Sequence, residues 1–131
     1  MRDIGMSDVA QVGGKNASLG ELIRTVVPQG VNVPEGFCVT ADAYYYFLNQ
    51  TGLKGFIAKT LDGLDTRNLA DLSRRGKKVR EAIHATPLPQ DLENKIIRAY
   101  EQMEKQYGKN TDVAVRSSAT AEDLPGASFA G

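Results

Sequence analysis

Five segments of this 131-residue chain carry apolar side chains at helical spacing, and a glycine or a proline follows each segment. The clearest segment has one apolar face, formed by Leu92, Ile96, Ala99, Met103 and Tyr107. Pro89 fits the first turn of this helix, and Gly108 ends it. The other four helices are predicted to end at or just before Pro28, Gly52, Gly63 and Pro87. The chain is therefore predicted to be mostly helical.

Short apolar runs between these segments predict a few strands. Residues 31–33 and 37–40 flank a Pro-Glu-Gly turn, and Val113 and Val115 lie on one side of a later extended run. We therefore expect an α+β fold, mostly helical with a small mixed or antiparallel sheet. Residues 129–131 are typical of the start of another strand, and no partner strand follows them in the sequence. We expect the chain to be the leading part of a larger protein.

The composition limits the possible partners. Sixteen basic and sixteen acidic side chains balance, and no apolar run approaches the roughly 20 residues that a membrane span needs. Binding to nucleic acid or to an anionic membrane requires a concentrated positive surface, so neither is expected as the main partner. The first five residues contain no apolar signal segment, which predicts a cytoplasmic location.

The single cysteine and the single histidine are not assigned to catalysis. Cys38 lies in an apolar run and is interpreted as a small buried side chain rather than a nucleophile. His84 lies near the end of a predicted helix, where a cation complements the helix dipole. Because no second histidine or nearby cysteine accompanies it, no metal site is predicted in the chain.

The run from Val113 to Gly131 carries the strongest functional signal. Arg116 follows an apolar segment directly and precedes residues 117–131, which are rich in Ser, Thr, Ala and Gly. The backbone of such a loop can approach a ligand closely, and its N–H and hydroxyl groups can donate hydrogen bonds. This arrangement is typical of polyphosphate binding. The alternative is that Arg116 forms an ion pair with Glu122 or Asp123.

A second anion site is predicted where Gly13, Gly14 and Lys15 lead into the first helix. Glycines next to the free N–H groups of a first helical turn favour an anion. The segment is not a Walker A loop, because Val9 and Asn16 stand where that pattern needs Gly and Ser or Thr. The alternative is an ordinary helix start with a solvated lysine.

Lys15 and Arg116 would be complementary ligands for one polyphosphate. A lysine supplies a point charge on a flexible stem, and an arginine supplies a planar fork of donors. We therefore expect both side chains to lie in a common cleft, on the side of the molecule that carries residues 117–131.

Three sequence blocks resemble the N-terminal nucleotide-binding domain of the phosphoenolpyruvate synthase family. The blocks are GGKNASLGE at residues 13–21, VPEGF at 33–37 and VRSSATAEDLPGASFAG at 115–131, in the order and at about the separation found in that family. The wider family includes pyruvate phosphate dikinase and rifampicin phosphotransferase. Residues 15–18 and 40–44 favour the synthase. Residues 1–131 are thus predicted to be an incomplete, N-terminal part of an ATP-binding domain of this type.

The resemblance implies an ATP-grasp-like domain in a dikinase that converts ATP, pyruvate and water to AMP, phosphoenolpyruvate and phosphate. In that family the phosphoryl group passes through a histidine on another domain, and Mg²⁺ is required. The metal ligands and the phosphohistidine and pyruvate-binding domains lie beyond the matched region. The implied partners are therefore ATP and the remaining domains of the same enzyme. His84 does not correspond to the carrier histidine, and the 131 residues alone are expected to be inactive.

The resemblance also assigns individual residues. Arg116 matches an arginine that contacts ATP and acts in catalysis, and Lys15 matches an ATP-contacting lysine. Gly131 matches a glycine at which the backbone approaches the nucleotide. The other predicted ATP-binding residues are Gly14, Thr120, Gly126, Ala127 and Ser128.

Two alternatives remain open from the sequence. The first is that the enzyme is rifampicin phosphotransferase or pyruvate phosphate dikinase instead of the synthase. The second is that the chain is a standalone, non-catalytic interaction module. In the second alternative, the glycines and the residue 117–131 loop are purely structural.

Overall fold

The computed structural model describes residues 1–120, and 65% of these residues are helical. Two short 3-10 turns, Met6–Asp8 and Val27–Gln29, flank the first α-helix. The five α-helices are α1 (Val9–Val26), α2 (Ala41–Gln50), α3 (Leu53–Leu61), α4 (Leu69–Ala85) and α5 (Gln90–Tyr107). No helix of this described part is long and apolar enough to cross a membrane.

The five predicted helices are confirmed, and each ends close to the glycine or proline that the sequence indicated. Gly30 adopts a left-handed conformation directly after the 3-10 turn that follows α1. Gly52 adopts a left-handed conformation shortly after α2. Gly108 has a φ of 107° directly after α5. A positive φ is accessible to glycine at little cost, so these residues stop the helices where the sequence indicates.

The predicted α+β fold with a small sheet is wrong. Residues 1–120 contain no strand, and the described structure is all-α. Residues 31–40 and 111–119 lie outside the helices, but they form no strand ladder with other described residues. A strand needs backbone hydrogen bonds to a neighbour, and Val115 is 93% exposed rather than covered by a core. The strand predicted to start at residue 129 lies outside the described residues.

The chain divides into two compact units, and the first consists of Met1–Asp42 and Ile96–Gly131. Among its described residues, the buried apolar side chains lie on α1: Val12, Ala17 and Ile23. Gly20 on the same helix allows the Ile4 backbone to lie against it, because a Cβ there would overlap the Ile4 carbonyl oxygen. The Tyr107 hydroxyl accepts a hydrogen bond of 2.9 Å from the Glu35 N–H, which ties the end of α5 to the segment after α1.

The second unit, Ala43–Lys95, has its own buried side chains: Phe47, Leu48, Leu53 and Leu92. Arg75 on α4 joins its neighbours by donating to the carbonyl oxygens of Thr60 (3.0 Å) and Asp62 (2.7 Å). Its Nε also donates to Asp71 at 2.8 Å. One guanidinium thus fixes α4 against the end of α3.

Candidate functional site

A break inside α1 forms the centre of the candidate site. Gly13 has φ 76° and ψ 160°, whereas the residues on both sides of it are helical. This region of the backbone map is essentially restricted to glycine. A second helical stretch therefore begins at Gly14, and Lys15 lies in its first turn, as the sequence predicted for the glycine pair. A helix N-terminus favours negatively charged ligands nearby.

The segment after Arg116 packs directly on this break. The Ser118 hydroxyl donates a 3.0 Å hydrogen bond to the Val12 carbonyl oxygen, which is 106 positions away in sequence. The same oxygen accepts a 2.8 Å hydrogen bond from Asn16 Nδ2. A Cβ on Gly13 would overlap Ser118 Oγ and lie 2.9 Å from the Ala119 carbonyl oxygen. The absence of a side chain at position 13 is therefore what allows the two segments to touch.

This contact brings together the two segments that the sequence analysis predicted to bind phosphate. Lys15 is two residues after Gly13, and Arg116 is two residues before Ser118. Both Lys15 and Arg116 are exposed, so a ligand in solvent can reach either side chain. Their contact with ATP, and that of Gly14, stays a prediction.

The remaining predicted site residues divide at the limit of the described structure. Thr120 is described and exposed. Gly126, Ala127, Ser128 and Gly131 lie outside the described residues, as do Glu122 and Asp123, the alternative ion-pair partners of Arg116.

Neither Cys38 nor His84 is part of this site. Cys38 is half-buried, and desolvation raises the pKa of its thiol, which disfavours the nucleophilic thiolate at neutral pH. His84 lies in the last turn of α4, where the sequence placed it. Within residues 1–120, no cluster of three or more His, Cys, Asp or Glu side chains could hold a metal ion.

A basic cavity of about 360 Å³ lies in the second unit, between α3 and α4. It is lined by Phe56, Lys59, Thr60, Arg74, Arg75 and Lys78. Several of its cations already have partners: Arg74 and Arg75 bind Asp71, and Lys78 Nζ lies 5.5 Å from the centre of the Phe56 ring. These contacts occupy Arg74, Arg75 and Lys78, and we assign no ligand to the cavity.

Sequence reasoning missed the contribution of Ser118 and Asn16. Both lie in sequence blocks that resemble the family, but neither is predicted as a site residue from the sequence. Serine in a small-residue loop and asparagine in a helix are common, so their types alone do not reveal a shared acceptor. The signal available was the Gly-Gly pair, because a glycine within a helix indicates either a break or a close approach.

Residues 9–131 match the family model described as pyruvate phosphate dikinase, AMP/ATP-binding domain. The chain therefore belongs to the pyruvate phosphate dikinase AMP/ATP-binding domain family.

Relatives named phosphoenolpyruvate synthase are similar to nearly the whole chain. The sequence is 53% identical to phosphoenolpyruvate synthase of Aquifex aeolicus over 98% of the chain and 50% identical to that of Helicobacter pylori over 99%. It is 49% identical to phosphoenolpyruvate synthase of Escherichia coli over 98% of the chain. The chain spans 15–16% of the length of these relatives.

Proposed function

We propose that this chain is part of the ATP-binding domain of a pyruvate, water dikinase, which forms phosphoenolpyruvate, AMP and phosphate from pyruvate, ATP and water. The packing of Ser118 on Gly13 carries the proposal, because it places the Lys15 and Arg116 segments next to each other in one unit. The identity of about 50% to relatives named phosphoenolpyruvate synthase supports the same substrate.

Each cation has a distinct role in this proposal. Lys15 neutralises phosphate charge from the first turn after the break in α1. Arg116 donates paired hydrogen bonds to phosphate oxygens, and these bonds strengthen as charge shifts during phosphoryl transfer. Gly14, Thr120, Gly126, Ala127, Ser128 and Gly131 are proposed to bring backbone and hydroxyl donors close to the nucleotide.

The proposal assigns the other parts of the reaction to other parts of a longer polypeptide. The described residues contain no group of three or more His, Cys, Asp or Glu side chains that could hold Mg²⁺, and the metal ligands are proposed to lie elsewhere in that polypeptide. The phosphoryl-carrying histidine and the pyruvate site are likewise proposed to belong to other domains of the same enzyme. Such an enzyme is proposed to work in the cytoplasm, with neither nucleic acid nor membrane as its partner.

The test is a product analysis of the full-length enzyme that contains this chain. With ATP, Mg²⁺ and pyruvate, we expect equal amounts of AMP, phosphate and phosphoenolpyruvate. ADP as the end product would contradict the dikinase reaction. Turnover with rifampicin but not with pyruvate would identify the antibiotic as the acceptor, and no ATP consumption with any acceptor would favour a non-catalytic module.

The purified 131-residue chain provides a second test. Because the metal ligands and the rest of the nucleotide site are proposed to lie in other parts of the polypeptide, we expect weak or undetectable Mg-ATP binding by calorimetry and no phosphate release. Sustained ATP hydrolysis by the chain alone would show that the set of required residues has been misjudged.

A further inference from the structure

We propose that Ser118 is a positioning residue for the nucleotide. Its hydrogen bond to Val12 holds the Arg116 segment against the helical turn that carries Lys15. This inference rests on the proposed function and adds a residue with a defined role to it.

The first support is the acceptor that the helix break presents. Gly13 turns the chain out of the helical path directly after Val12, and the Val12 carbonyl oxygen then accepts hydrogen bonds from two side chains. A carbonyl oxygen has two lone pairs, so Asn16 and Ser118 can bind it together. Asn16 belongs to α1 itself, whereas Ser118 comes from the far end of the described chain. Ser118 therefore provides the link between the segments.

The second support is the pattern of burial around Ser118. Within residues 112–120, every residue is exposed except Ser118, which is partly buried. Ser118 therefore attaches this stretch to Val12, and the Ala119 carbonyl lies beside Gly13. Gly13 makes the attachment possible, since any side chain at that position would overlap Ser118 Oγ.

The hydrogen bond of Ser118 also restrains the position of Arg116. Only one residue separates Arg116 from the attachment point, and only two separate Lys15 from Val12. The Ser118 bond therefore limits how far the two cations can move apart. Paired hydrogen bonds to a phosphoryl group depend strongly on position, and a displacement near 1 Å can cost about a hundredfold in rate. Loss of the Ser118 hydroxyl should weaken catalysis through Arg116.

The test is a double-mutant cycle in the full-length enzyme, with Ser118→Ala, Arg116→Ala and the combined variant. Ser118→Ala alone should lower kcat for ATP-dependent AMP formation roughly fivefold, the worth of one ordinary hydrogen bond. In the Arg116→Ala background, the same change should cost less than about twofold, because the group that it positions is gone. Phosphoryl exchange between the phosphohistidine and phosphoenolpyruvate should keep its wild-type rate.

Thr25→Ala is the matched control. The Thr25 hydroxyl also donates to a backbone carbonyl, that of Glu21 at 2.9 Å, but both residues lie on α1. This variant loses a hydroxyl-to-carbonyl bond without losing a link between segments, so AMP formation should be unchanged. Equal losses from Ser118→Ala in both Arg116 backgrounds would overturn the positioning role. A parallel loss of phosphoryl exchange and of Tm would also overturn it, because it would indicate a general structural role.

Amide hydrogen exchange tests the attachment without reference to activity. In Ser118→Ala, exchange should accelerate at residues 14–17 and at 116–119, and neither region should change in Thr25→Ala. Unchanged exchange at both regions would refute the attachment. If the wild-type enzyme forms no AMP, the proposed function fails. Amide hydrogen exchange still decides in that case whether Ser118 holds the two segments together.

Discussion

The Tyr46 hydroxyl donates a 2.7 Å hydrogen bond to the Asp91 carboxylate and so links α2 to the first turn of α5 within the Ala43–Lys95 unit. This bond lowers the pKa of Asp91, and the Leu92 and Asp91 backbone N–H groups act in the same direction. The same hydrogen bond raises the pKa of Tyr46, because the phenol must stay protonated to donate. The hydrogen bond is therefore retained at pH values at which the Asp91 carboxyl is ionised and the Tyr46 phenol is protonated.

Tyr46→Phe should raise the pKa of Asp91 toward its ordinary value, as measured by NMR titration of the carboxyl carbon. Since the folded-state pKa of Asp91 is lowered, its contribution to stability is present above the unfolded-state pKa of about 4 and is lost as the pH falls through the folded value. The stability difference between wild type and Tyr46→Phe should thus shrink on acidification. Tyr45→Phe, an exposed neighbour on α2, should leave the Asp91 pKa unchanged.

Lys15→Ala and Arg116→Ala in the full-length enzyme should each abolish most ATP-dependent phosphoenolpyruvate formation. Loss of one charge-assisted contact in a transition state typically costs about 3 kcal/mol, or roughly a hundredfold in rate. Phosphoryl exchange between the phosphohistidine and phosphoenolpyruvate should persist, because it does not use the nucleotide. Arg67→Ala is the control, since the Arg67 side chain is 91% exposed and lies in the other unit. Wild-type AMP formation by Arg116→Ala would exclude its catalytic role.

Arg116→Lys should recover little of the activity that Arg116→Ala loses. A lysine keeps the positive charge but cannot reproduce two parallel N–H donors in one plane. Steady-state rates of AMP formation for the two variants provide the comparison. If Arg116→Lys is nearly as active as wild type, charge alone is sufficient at this position.

Gly13→Ala should destabilise the protein by about 2 kcal/mol, because a Cβ would be strained at φ 76° and would overlap Ser118 Oγ. Gly36→Ala is the matched control: apart from its chain neighbours, no heavy atom of residues 1–120 lies within 4 Å of the Cβ that it would add. Chemical denaturation of both variants measures the difference. Equal stability of the two alanine variants would show that residues 118 and 119 do not pack on Gly13.

Gly55→Ala should stabilise the protein by roughly 0.5–1 kcal/mol. Gly55 is an exposed residue inside α3, and beyond the local backbone of the helix an added Cβ would meet no described heavy atom within 4 Å. Alanine lowers the entropy of the unfolded chain and has the higher helix propensity. A lower midpoint of denaturation than wild type would contradict this expectation.

The sequence predicted the helices well because their signals are local. The helix predicted after Pro89 begins at Gln90, and Leu92 on its predicted apolar face is buried. The same local reasoning failed for Val115, whose alternating neighbours suggested a strand. Whether such a segment pairs depends on a distant part of the chain, which periodicity does not contain.

The sequence predicted which segments form the candidate site, but not which residues of those segments touch each other. Gly13, Lys15 and Arg116 stood out because glycine pairs and cations beside small-residue loops have a known use in phosphate binding. Ser117 and Ser118 are identical neighbours in the sequence, and only the structure distinguishes the one that reaches Val12. A hydrogen bond over 106 positions depends on the tertiary fold rather than on residue type.

The 106 positions between Val12 and Ser118 also affect how the domain folds during synthesis. Helices α2 to α5 can form from contacts close in sequence, whereas joining Val12 to Ser118 closes a loop across almost the entire described chain, with a corresponding entropy cost. On the ribosome, Val12 emerges long before Ser118 has been translated. The break in α1 is therefore synthesised before the segment that packs on it, and the Val12–Ser118 contact can form only after residue 118 has left the exit tunnel.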